Sequence, residues 1–238
     1  METEPTTRLF LIRHGQAFSN VEPMIAGIRG DAGLTPLGVM QAERLRDRLA
    51  ASGEIKADVF LASSLPRARQ TAQIIAPALG LGAPTLDDDL HELRPGDEAD
   101  GLSLDEFKRR FGWVDQIDFP LRPFAPGGES WARFVLRVAE EMERITSKHA
   151  GKTIVAVTHG GVIDSAFLYF FGMSNTAFAS ASFYTHNTSL TGWLREMVRG
   201  RMRWRLAFYN DDSHLRGLAE GAAQPSVPLP TEPPPVGA

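Results

Sequence analysis

Short apolar runs alternate along this chain with longer stretches whose apolar residues recur every three or four positions. Leu9–Ile12 is a continuous apolar run, the form of a parallel strand covered on both faces. "LTPLGVMQAERLRDRLAAS" follows as a helix, with Thr35 as its cap and Pro36 suited to the first helical position. Leu37, Met40, Leu45 and Leu49 form its predicted buried stripe. "ADVFLAS", residues 57–63, predicts a second strand. "SLPRARQTAQIIAPAL" predicts a second helix, capped by Ser63 or Ser64, with Pro66 in the first turn. "SWARFVLRVAEEMERITSKHA" reads as an amphipathic helix with Ser130 as N-cap and a stripe of Trp131, Phe134, Val135, Val138, Met142 and Ile145. "KTIVAVTHGG" is another buried strand, and "VIDSAFLYFFGM" a helix apolar nearly all round. "SLTGWLREM" and "RMRWRLAFY" flank "VRG" and predict a late β-hairpin.

This alternation predicts an α/β fold, with a mainly parallel central sheet covered by helices on both faces. Residues 1–215 are expected to form one domain. Residues 84–128 break the rhythm and read as an inserted cap, with a short helix starting at the "SLDE" capping box of Ser103. From residue 216 the composition shifts. Six of the 16 prolines lie in 225–235, so 216–238 reads as a disordered, solubilising tail with polyproline character.

With 238 residues and 43% hydrophobic composition, the chain can bury a substantial core. A net charge of −4 implies no general nucleic-acid surface, so any cationic function must be local. The absence of cysteine removes disulfides, thiolate nucleophiles and Cys-based metal sites. The polar, acidic "METEPTTR" lacks the pattern of a secretory signal, and no stretch reaches the ~18 apolar residues of a membrane span. A cytoplasmic protein with no membrane partner is the expectation.

In parallel sheets ligands gather at the carboxyl ends of the strands. His14 follows the first strand and His159 follows "TIVAVT", each with glycine behind it (Gly15; Gly160 and Gly161). Glycine there lets the backbone approach a ligand closely. Arg13 precedes His14, and Arg67 lies in the first turn of the helix after the second strand, where helix N–H groups favour an anion. Two arginines and two imidazoles around one pocket make a receptor for a phosphoryl group. The arginines argue against a metal between the histidines, because they repel a cation.

"LFLIRHGQAFSN", "LTPLGVMQA", "ASSLPRARQTA", "TIVAVTHGG" and "HNTSLTGW" resemble, in order, the motifs of the histidine phosphatase superfamily, the phosphoglycerate mutase-like proteins. The resemblance spans residues 8 to about 212. It implies phosphoryl transfer through a phosphohistidine, with His14 as nucleophile and His159 as the second histidine, contacting the phosphoryl group. Asn20 matches a neutral donor to phosphate or substrate, and Glu92, four residues before Gly96, matches the proton donor. Asp89, Asp97 and Glu98 stand as alternatives for that acid. Beside the resemblance stands a physical reason: Arg13 and Arg67 disfavour an imidazolium and bind phosphoryl oxygens.

The main expectation is a metal-independent hydrolase of a small phosphomonoester that needs no cofactor. A cofactor-dependent phosphoglycerate mutase and a non-catalytic phosphate- or phosphoprotein-binding module on the same fold are the alternatives. Phe107, Phe111, Trp113, Phe119 and Phe124 read as an apolar cap over the pocket, suggesting a substrate with a nonpolar portion. Exposed apolar residues on the late hairpin would support a homodimer.

Overall fold

The computed structural model describes residues 5–113, 115–116, 118–174 and 183–218. The proline-rich stretch lies outside the described residues from 219 on.

In chain order the elements are β1 (Thr7–Arg13), α1 (Phe18–Val21), α2 (Pro36–Ser52), β2 (Val59–Ser63), α3 (Pro66–Ile75), β3 (Thr85–Asp87), α4 (Leu104–Phe111), α5 (Trp131–Lys148), β4 (Thr153–Thr158), α6 (Gly160–Phe171), β5 (Leu190–Val198) and β6 (Arg201–Asp211). They build one six-stranded sheet of order β3-β2-β4-β1-β5-β6. The first four strands in that order are parallel, and β5 and β6 run antiparallel as the predicted hairpin. Its turn residues Arg199 and Gly200 both have positive φ, the geometry that suits a two-residue hairpin turn.

Apolar strand residues point alternately to the two faces. Leu9, Leu11, Ile154 and Ala156 pack with Phe134, Val138 and Met142 of α5 and Val162 and Phe167 of α6. Ile12, Val155 and Val157 pack with Leu45 and Leu49 of α2 and Ala68, Ala72 and Ile75 of α3 on the other face. The continuous apolar runs follow from this double cover. The chain leaving β1 therefore enters helices on one face, while the chain leaving β4 enters α6 on the opposite face. The crevice between those departures is where an open α/β sheet binds ligands.

Four local readings change. Met40 of α2 is 46% exposed, and the buried face includes Gly38, Gln41 and Ala42 instead. The reason is close approach: a Cβ on Gly38 would meet Gln16 O at 2.0 Å, and one on Gly15 would meet Gly38 O at 2.5 Å. Gly15 thus serves helix-to-loop packing. Neither Ser63 nor Ser64 caps α3, whose N-cap residue is Leu65. Strand β3 and the four-residue helix α1 were hidden by their shortness. The cap aromatics mostly pack on one another. Phe107 is fully buried, stacks on Phe124 at 4.6 Å between ring centres and contacts Phe111 and Trp113. The insert has its own small core of Ala99, Phe107 and Ala125. It docks on the 24–30 loop through Asp100, whose carboxylate accepts from the N–H groups of Gly27, Arg29 and Gly30. Among the described residues no helix is long and apolar enough to cross a membrane.

Candidate active site

The parallel register of β1 and β4 pairs Arg13 with Thr158. The next residue on each strand is a histidine, and His14 N–H donates to Thr158 O at 2.9 Å. Backbone pairing alone therefore sets His14 beside His159, with ring centres 5.1 Å apart.

His14 is 3% exposed. Its Nδ1 lies 2.7 Å from Gly15 O. A carbonyl only accepts, so Nδ1 carries the ring proton and Nε2 presents its lone pair. Arg67 Nε donates to that nitrogen at 3.2 Å. Burial, then the charges of Arg67 and Arg13, hold the imidazole well below its usual pKa. The ring is thus neutral, the state a nucleophile requires.

Arg67 is anchored by Asp31, whose Oδ2 accepts from NH1 at 2.8 Å and from the Arg67 backbone N–H at 3.2 Å. The N–H at the start of α3, expected to face a ligand anion, is therefore taken by an internal carboxylate. Arg13 NH1 donates to Thr185 O. Burial lowers the pKa of Arg13, against the opposing charge of Glu92.

His159 is fully buried in the wall beside His14 rather than at the cavity surface. Its Nε2 pairs with Ser63 Oγ at 2.8 Å, while Nδ1 is buried without a hydrogen-bond partner. Burial first, then Arg67, keeps its pKa well below the usual imidazole value.

A cavity of about 430 Å³ opens over these groups, and Arg13, His14, Asn20, Arg67, Glu92 and Gly160 all line it. Asn20 Oδ1 accepts from Ala17 N–H at 2.9 Å, which leaves its Nδ2 as the group to offer a ligand. Gly160 has room for a Cβ, 3.6 Å from Arg13 Nε, so the tight position is its neighbour: a Cβ on Gly161 would meet Glu92 Oε1 at 2.3 Å. Glu92 Oε2 accepts from Gly161 N–H at 3.0 Å, and Oε1 from Leu93 N–H at 3.0 Å. The carboxylate serves as a distant cap for α6, whose own N-cap residue, His159, makes no side-chain cap bond.

Asp89, Asp97 and Glu98 do not line this cavity. Lys108, Arg109 and Arg110 lie on α4 outside it, and both arginines pair with Glu106. None of the five cap aromatics lines it. Phe124 instead borders a neighbouring apolar groove with Met24, Leu93, Pro95 and Trp131. Asp87, Asp89 and Glu141 approach closely enough to hold a cation, but they lie outside the cavity and Arg144 already pairs with Asp87 and Glu141.

Sequence reasoning missed three residues. Asp31 carries no local signal, because its partner Arg67 is 36 residues away. Arg137 donates to Glu129 at 2.7 and 2.8 Å and to the carbonyls of Asp89, His91 and Glu92, so it clamps the loop that carries Glu92. Its cue was a charge within the apolar stripe of α5. Asp164 also lines the cavity, and its cue was an acid in an otherwise apolar helix.

Residues 9–212 match the family described as Histidine phosphatase superfamily (branch 1). Phosphoglycerate mutase-like protein 4 of Arabidopsis thaliana is 36% identical over 166 residues, 67% of this chain and 69% of that protein. The 2,3-bisphosphoglycerate-dependent phosphoglycerate mutase of Azorhizobium caulinodans is 34% identical over 158 residues, 64% of this chain and 75% of its own length. The structure of phosphoserine phosphatase from Entamoeba histolytica, solved with 3-phosphoglyceric acid, superimposes with a TM-score of 0.68 at 28% identity, covering 88% of this chain and 99% of that one.

Proposed function

The chain belongs to the histidine phosphatase superfamily, and from that premise we propose that it hydrolyses small organic phosphomonoesters through a phosphohistidine on His14, without a metal. One observation carries this reading: a neutral imidazole whose Nε2 lone pair meets the buried Arg67 guanidinium, in a cavity that Arg13 and a carboxyl group also line.

The substrate dianion enters between Arg13 and Arg67. Arg67 Nε turns from Nε2 to a phosphoryl oxygen, which frees the lone pair for attack. The N–P bond forms as the P–O bond breaks, and the electron pair passes to the leaving oxygen, which takes a proton from Glu92. The two arginines, Asn20 Nδ2 and the α6 N-terminus at Gly160 are the donors for the three equatorial oxygens, with His159 packed behind the His14 ring. Gly15 O holds the Nδ1 proton and so supports the positive charge that develops on the ring. Water then attacks phosphorus, Glu92 takes its proton, and Nε2 leaves. The arginines supply the charge compensation a metal would otherwise bring.

The test is turnover of p-nitrophenyl phosphate with and without EDTA, joined to mass measurement of protein quenched in alkaline denaturant, where an N–P bond survives. EDTA-resistant turnover and a phosphoryl adduct are expected, both lost in His14→Ala, with a rate loss of roughly a thousandfold or more. Equal turnover in the variant would overturn the nucleophile assignment. The names of the two relatives favour a second reading, a mutase. Isomerisation of 3-phosphoglycerate stimulated by bisphosphoglycerate would support it. The position of Lys108, Arg109 and Arg110 outside the cavity speaks against it.

A further inference from the structure

We propose that Asp164 is an acid–base partner of Glu92, and that the two carboxyl groups share the single proton that the leaving group takes and water returns. This rests on the phosphohydrolase reading above.

Glu92 sits at the N-terminus of α6. Both of its oxygens already accept from backbone N–H groups, Oε2 from Gly161 and Oε1 from Leu93. Each oxygen keeps a further lone pair, so either can carry the proton that is delivered. A second carboxyl group in the same cavity is a further place for that proton. Gly161 and Asp164 are three residues apart on α6, hence on one helical face, one turn from each other. The residue that holds Glu92 thus sets Asp164 next to it, and both acids line the cavity.

The surroundings favour a proton on Asp164. Burial, then the charge of Glu92, pushes its pKa up to about 7, with Arg13 opposing. The groups that face it are Arg13 from β1, Glu92 from the loop after β3, and Thr185, whose hydroxyl lies 3.5 Å from Asp164 Oδ1. Tyr209 of β6 stands behind Thr185, with its hydroxyl 3.0 Å from Thr185 Oγ1. Arg67 and His14 line the same cavity.

The proton count closes. The free pair holds one proton. Phosphoryl transfer to His14 moves it to the leaving oxygen and leaves both carboxylates ionised. Attack of water on the phosphohistidine returns one proton to the pair as the N–P bond breaks. The sum is ester dianion plus water giving alcohol plus hydrogen phosphate.

The experiment compares pH profiles of the full-length protein and Asp164→Asn on an alkyl and an aryl phosphate. An alkyl alkoxide needs the proton far more than nitrophenolate does. The expected result is that Asp164→Asn moves the alkaline limb of kcat for the alkyl ester about one pH unit lower. The alkyl rate at neutral pH should fall about tenfold more than the aryl rate, and Asp164→Glu should restore both. An unmoved limb, or equal losses on both esters, overturns the proposal, because a merely structural role lowers both alike. Carbon-13 NMR titration of the carboxyl groups reads the pair without turnover. In Glu92→Gln, Asp164 should titrate at clearly lower pH. If it titrates as in the parent protein, the pair is refuted whether or not the enzyme is active. An inactive parent protein whose carboxyls still titrate as a coupled pair would instead refute the phosphohydrolase reading.

Discussion

The two sides of the cavity are held by different means. The side that carries Arg13, His14 and His159 is fixed by the backbone. Parallel register between β1 and β4 sets two histidines in line, and the sheet beneath them is covered on both faces. The side that carries Glu92 has no strand under it. Its loop is held by the Arg137 guanidinium, which binds three consecutive-region carbonyls and Glu129, and by the N-terminus of α6. An imidazole just past a strand can thus be placed by hydrogen-bond register alone, while a carboxylate on a loop depends on a few side chains for its position.

Substitutions can break this comparison at different depths. Phe107→Ala should have the largest effect on stability. Its ring is fully buried in the small core of the insert, so about 3–5 kcal/mol should be lost in denaturant unfolding. At permissive temperature the KM should stay within about twofold of the parent value, because the ring is not in contact with the cavity. A large rise in KM would restore the aromatics as a substrate cap. Arg137→Met comes next. Loosening the Glu92 loop should lower kcat on an alkyl phosphate about tenfold with little change in KM, and Arg137→Lys should recover part of it. If kcat and KM moved together, the clamp would act on binding rather than on the acid.

The smallest effects are on pH-dependent stability, and the two sides should respond with opposite sign. His14 and His159 have folded-state pKa values below the unfolded value. The unfolded chain therefore binds more protons once the pH falls below about 6.5, and each histidine withdraws up to about 1.4 kcal/mol per pH unit as acid is added. Asp164 is shifted the other way, to about 7, so its contribution is lost as pH rises from about 4 towards that value. Thermal melts should show Asp164→Asn raising Tm more at neutral pH than at pH about 4, by about 2–4 °C per kcal/mol recovered. The same gain at both pH values would remove the titration argument.

The α/β class, the hairpin and the strand-end quartet of Arg13, His14, Arg67 and His159 were legible because each rests on a local pattern: an apolar run, a cap, a residue just past a strand. Glu92 was legible through the resemblance. The role of Phe107 was misjudged because an aromatic stretch looks the same whether it covers a ligand or itself. Ser63 and Ser64 looked like helix caps but pair with His159 and His91 instead.

What the sequence determined by itself is therefore the chemistry on offer: which strands are doubly covered, and which cationic and imidazole side chains they deliver to one edge. Periodicity and spacing encode that directly. What only the tertiary structure decided is the state and company of those groups. Asp31 meets Arg67 across 36 residues, Arg137 reaches across 45 to the Glu92 carbonyl, and Gly161 meets the Glu92 carboxylate across 69. Protonation follows from burial and from charges brought near by folding, and neither is a property of a residue's neighbours in the chain.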